Sequence, residues 1–159
     1  MLTLIQNINL VDATLFLLPI VTGFGSTLFC KINQNSGSMV VFRPPSYVFG
    51  LTWTVLYLML GYSWVLSNRE NVYSSIPYGI LIGLLSSWTI VYACQNLKKV
   101  GVWIIALSIL ASFYCYTIAP IMSKYLILPL IVWLIFAMNL NMFDVQLLQS
   151  TNSLNLPLY

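Results

Sequence analysis

The groups that usually carry out chemistry are scarce in this chain, and aromatic rings are its main chemical resource. It has no histidine and only three carboxylates, Asp12, Glu70 and Asp144. Without imidazole there is no Ser/His/Asp constellation and no histidine-based metal or haem-iron site, and no phosphate-binding glycine loop occurs either. No catalytic residue and no metal ligand is assigned. Asp12 and Glu70 are expected at membrane interfaces. So is Asp144, one turn beyond Asn141 at the end of an apolar segment, in preference to a proton relay. Trp53, Tyr57, Trp88, Trp103, Tyr114 and Trp133 come from several segments and predict an aromatic interior. Such rings can stack on a flat hydrophobic ligand. The competing reading of any aromatic stripe is plain helix packing.

The elements that would position these rings lie in a bilayer. Only 6% of the residues are charged and 60% are hydrophobic, with mean hydropathy +0.90. A soluble domain carries about 25% charged residues, so the composition is that of a membrane protein. The apolar runs are long and show no repeated short alternation, which selects a helix bundle over a barrel. A net charge of +3, scattered along the chain, argues against a nucleic-acid partner. Cys30, Cys94 and Cys115 are odd in number and form no C-x-x-C, which argues against a disulfide framework. The first apolar run lacks a basic leader and a small-residue cleavage site and is expected to be a retained helix.

One domain spanning 1–159 is expected: an all-α bundle of five transmembrane helices at about 11–30, 46–67, 76–94, 101–118 and 125–145. Pro44 and Pro45 open the second, because proline fits a first helical turn. On that helix Phe49, Trp53, Tyr57, Gly61 and Trp64 share one face at helical spacing. On the third, Gly79, Gly83 and Ser87 form a small-residue stripe suited to a homodimer, with Leu81, Trp88, Tyr92 and Gln95 on the opposite side. On the fifth, Pro129, Trp133, Ala137, Leu140 or Asn141, and Asp144 follow one face. The loop from Lys31 to Phe42 is rich in Asn, Ser and Gly, and the tail from Gln146 is expected to be interfacial or disordered. The loops after helices one and three hold Lys31, Arg43, Lys98 and Lys99, against Arg69 and Lys124 on the other side. The positive-inside rule then places the C-terminus in the cytosol.

The order of residues in two stretches resembles the family of the tryptophan-rich sensory protein and the translocator protein, the peripheral benzodiazepine receptor. The first stretch is Pro44-Pro45, then Tyr47-Val48-Phe49-Gly50, then Trp53, Thr54, Leu56, Tyr57 and Gly61. The second is Pro129, Trp133, Phe136, Ala137, Leu140 and Asn141. Pro19 followed by Gly23 is similar to the family's first helix. There are departures. Phe42 and Tyr47 stand where the family usually has Trp, Leu81 and Leu85 where it has Gln and Asn, Pro120 where an acidic residue is common, and Leu130 where it has Tyr.

The resemblance implies a pocket among the five helices, beneath the first loop, that takes porphyrin, haem and drug-like benzodiazepine-site ligands. No cofactor is required; the tetrapyrrole is the ligand. Trp53 and Trp133 are expected to line that pocket with Tyr57, Ala137 and Leu140 beside them, and Phe49, Trp88 and Asn141 completing it. Sterol binding, known in vertebrate members through a Leu/Val, Tyr and Lys/Arg segment ending helix five, is disfavoured. The matching region from Leu140 to Gln149 has neither Tyr nor a basic residue. Two other readings compete with a tetrapyrrole-binding sensor: a small transporter of a hydrophobic metabolite, and a non-catalytic interaction subunit. Oxidative porphyrin breakdown, reported for some bacterial members, keeps an enzymatic reading alive.

Overall fold

The computed structural model of the chain describes residues 9–29 and 40–153. Most of the expected first loop, residues 31–39 of 31–42, falls outside them, as do residues 1–8, Cys30 and the last six residues. Helix α1 spans Leu10–Phe29 and continues through Pro19 without a break. Pro45 then adopts φ −55° and ψ 149°, an extended conformation that starts α2 at Ser46, and α2 runs to Glu70. Asn71 ends it in extended backbone and accepts the Tyr73 amide at 3.0 Å, capping a 3-10 turn at Val72–Ser74. Helix α3, Ser75–Thr89, carries Pro77 in its first turn, where a missing N–H costs nothing. It continues as a π-helical turn over Ile90–Cys94. Asn96, at φ 52°, reverses the chain into α4, Lys98–Ile118. Ala119 is extended before Pro120, as steric clash with a following proline demands.

Helix α5 departs from expectation at both ends. It begins at Ile121 rather than Tyr125 and extends to Ser153, so the start of the expected tail is helical. Among the described residues five segments are long and apolar enough to cross a membrane and no strand occurs, and the chain is a multi-pass membrane protein with an all-α bundle. Cys94 is disulfide-bonded, which corrects the expectation drawn from the cysteine count, whereas Cys115 is free and buried.

Helix α1 packs on α2 and α3, α2 on α5, and α4 between α3 and α5. Two glycines set the α1–α2 distance. A Cβ at Gly61 would run into the backbone carbonyl of Phe16, and one at Gly23 into the Tyr57 ring. The half of the bundle at the α2–α3 connection is closed by buried hydroxyls. Tyr78 bonds Ser63 at 2.7 Å and Ser67 at 3.0 Å, and Ser123 donates to the Ser63 carbonyl at 3.1 Å. Trp64 stacks on Tyr78 with planes 9° apart and donates to Ser75, which donates to Asn68. In lipid each such interhelical bond contributes about 0.6–2 kcal/mol. Their larger effect is to fix three helices in register. At the outer edge of this half, Arg69 pairs with Asp12 at 2.8 Å.

Candidate functional site

The opposite half of the bundle is open inside. It holds a partly open cavity of about 300 Å³, lined by all five helices and the segment before α2. From α2 come Phe49, Trp53 and Tyr57, one turn apart on a single face. Trp53 stacks on Tyr57 at 5.3 Å, and Phe24 of α1 meets Tyr57 edge-on at 6.1 Å. These contacts fix the ring planes. Gly23 supplies the space into which Tyr57 fits.

From α3 the wall takes Leu85, Trp88 and, through the π turn, Tyr92. Trp88 and Tyr92 stack at 4.9 Å with planes 19° apart. In a regular helix residues four apart are nearly aligned; one extra residue per turn shifts everything beyond it, and such π turns recur at functional sites. Helix α4 adds Ile105 and Ser108, the latter donating to its own helix at 2.8 Å. Helix α5 adds Leu134, Ala137, Leu140, Asn141 and Asp144.

Polar groups in this wall are few and mostly engaged. The Asp144 carboxylate is buried, 3% exposed, and one of its oxygens accepts from Lys98 Nζ at 2.8 Å and from the Tyr92 hydroxyl at 2.9 Å. Lys98 also lies 5.7 Å from the centre of the Tyr92 ring. Three elements, the π turn, the start of α4 and the end of α5, are thereby clamped at one point. Arg43 stands 5.8 Å from the centre of the Phe49 ring at the start of α2. Two buried side-chain atoms on lining residues have no hydrogen-bond partner, Asn141 Oδ1 and Trp88 Nε1.

Of the expected ligand-binding residues, Phe49, Trp53, Tyr57, Trp88, Ala137, Leu140 and Asn141 come together around this cavity. Trp133 does not. It sits behind the wall, edge-on to Phe49 at 5.7 Å and tilted against Phe136 at 5.3 Å. The aromatic interior is also smaller than expected, because Trp103 and Tyr114 are 72% and 58% exposed on the outer surface. Gly79 and Gly83 lie on the outer surface of α3 with open space where a Cβ would go. Ser87 is half-buried and donates to the Leu84 carbonyl. Asp144, expected at an interface, belongs to the cavity wall together with Tyr92, and Lys98 pairs with it from the start of α4. The one sequence signal for this was Asp144 lying one turn from Asn141 on the same face.

The arrangement can hold a planar apolar molecule against stacked rings. Among the described residues no cluster of metal-ligating side chains occurs. Fold and cavity together define a five-helix integral membrane protein with an internal apolar chamber. The TspO/MBR family model matches residues 14–145, and the chain belongs to that family. No curated protein matches it at a significant level. Membership supports a sensor- or transporter-type role in a membrane.

Proposed function

We propose that the protein is a membrane receptor or sensor that binds tetrapyrroles and other flat hydrophobic ligands in the cavity between its helices. The observation that carries this reading is the partly open chamber walled by two stacked aromatic pairs, Trp53–Tyr57 and Trp88–Tyr92, from different helices. Ligand sites of this kind are concave and mostly apolar, with a few placed polar groups. The volume is at the lower end of such sites. A compact polycyclic molecule fits whole, while a porphyrin or haem enters with part of its ring edge outside. Drug-like ligands of the benzodiazepine type belong to the first group.

Arg43, Lys98 and Lys99 lie at the cavity end of the bundle, so the positive-inside rule turns that end and the C-terminus to the cytosol. The outward face at Gly79 and Gly83 is free for close approach of a second copy, the arrangement proposed for a homodimer. Titration of purified protein with protoporphyrin, followed by the porphyrin absorbance band, tests the binding reading. Saturable one-site binding supports it; purely linear partitioning into the detergent overturns it. Porphyrin uptake into sealed vesicles containing the protein would move the assignment from sensing to transport.

A further inference from the structure

Among the described residues two charged side chains line the cavity, Asp144 and Arg43. The Asp144 carboxylate is buried and taken up within the protein, by Lys98 Nζ at 2.8 Å and the Tyr92 hydroxyl at 2.9 Å. A cationic occupant therefore gains little from it. Arg43 is placed differently: it is half-buried, at the rim between the cavity and the outside. The chain before α2 is built to hold it there. The Arg43 amide donates to the Val40 carbonyl at 3.1 Å, closing a turn whose first residue is buried in the cavity wall. Phe42 meets Phe143 edge-on at 5.2 Å, which ties that turn to α5. Pro44 and Pro45 follow and restrict the backbone on the other side. The guanidinium carbon then lies 5.8 Å from the centre of the Phe49 ring, itself part of the wall. That is within the range of a cation–π contact.

We infer that the cavity selects flat apolar molecules carrying a carboxylate on one edge, and that Arg43 binds this carboxylate at the rim. This deepens the ligand-binding reading of the cavity and rests on it. A guanidinium carries five N–H donors in one plane, a fork that takes a carboxylate by two parallel hydrogen bonds. It does so while its face rests on an aromatic ring, which a lysine ammonium cannot match. The ring system of the ligand occupies the apolar chamber, and the acid group stays at the half-exposed end. Burying an ionised carboxylate against the apolar wall is strongly unfavourable, so the acid also fixes which edge of the molecule points inward. Arg43 thereby separates acids from neutral flat ligands of equal apolar area. Protoporphyrin, with two carboxylates on one edge, meets the requirement; its diester does not.

The test compares protoporphyrin with its dimethyl ester, which keeps the ring and loses the charge, on the purified full-length protein in a neutral detergent. Each titration is read against the same detergent without protein, so that partition into micelles cancels. The parent is expected to bind the diacid at least about tenfold more tightly than the ester, because charge-assisted, bidentate hydrogen bonds are the strong ones. Arg43→Gln removes the charge at similar length. It should bring the two compounds to within about twofold of each other, by weakening the diacid while ester affinity stays as in the parent. Arg43→Lys keeps the charge without the fork and should retain part of the preference, so the comparison does not depend on one variant. Equal affinities in the parent overturn the inference and leave the cavity as a ligand site. So does a preference for the diacid that survives Arg43→Gln undiminished. If neither compound binds saturably to the parent, the cavity reading and this inference fall together.

Discussion

Lys98 opens α4 and Asp144 lies near the end of α5, yet Lys98 Nζ and Asp144 Oδ2 meet at 2.8 Å inside the bundle, with the Tyr92 hydroxyl on the same oxygen. Their side chains are 14% and 5% exposed, so the pair is largely out of contact with water. Removing one partner of such a pair strands the other charge, at a cost of about 3–5 kcal/mol. Lys98→Met should destabilise the protein by that order in reversible unfolding in detergent. Lys98→Met combined with Asp144→Leu should recover most of the loss. A single variant as stable as the parent would show that the pair does not hold α4 to α5.

Gly61 lies where α1 and α2 approach most closely, and a side chain there would meet the Phe16 carbonyl, which belongs to backbone and cannot rotate away. Gly61→Val should therefore cost about 3 kcal/mol, the upper end of the usual range for overpacking. Gly79→Val, on the open outer face, should change stability little. Thermal unfolding of the two variants side by side checks the contrast.

Tyr78 is fully buried and its hydroxyl joins Ser63 and Ser67. Tyr78→Phe keeps the stacking on Trp64 and removes only those bonds. A loss of about 1–2 kcal/mol is expected, with ligand binding unchanged because the site lies in the other half of the bundle. A change in ligand affinity as large as the change in stability would show that the two halves are coupled.

Much of this architecture is legible in the sequence, for physical reasons that also explain the misses. Pro44-Pro45, Pro77 and Ala119-Pro120 punctuate the helices because proline constrains its own backbone and that of its neighbour. Phe49, Trp53 and Tyr57 reveal their shared face by spacing alone. Trp103 and Tyr114 align equally well on α4 and yet face outward. Lipid is as apolar as the interior, so hydrophobicity does not distinguish the inner face of a membrane helix from the outer. Trp133 matches the family pattern but packs edge-on behind Phe49, outside the cavity wall. Asp144 looked interfacial because its partner, Lys98, is brought to it only by the tertiary fold.

Trp53 touches the cavity directly, whereas Trp133 acts through Phe49. Loss of an aromatic stacking partner costs about 0.5–1.5 kcal/mol beyond its buried area. Trp53→Ala should weaken porphyrin binding by about tenfold and Trp133→Ala by less. Trp103→Ala, on the outer surface, should leave it unchanged. Equal losses at Trp53 and Trp103 would contradict the assignment of inner and outer faces.

Ala137 lines the cavity with the smallest side chain on the α5 wall, so its substitution gives the most direct measurement of whether this chamber is the ligand site. The dissociation constant for protoporphyrin is to be measured for the parent and for Ala137→Phe, with matching helical content and unfolding temperature as the check on folding. The account predicts saturable binding by the parent and its loss in Ala137→Phe, because the phenyl ring fills the chamber beside Leu134 and Leu140. A folded Ala137→Phe that binds porphyrin like the parent would contradict it.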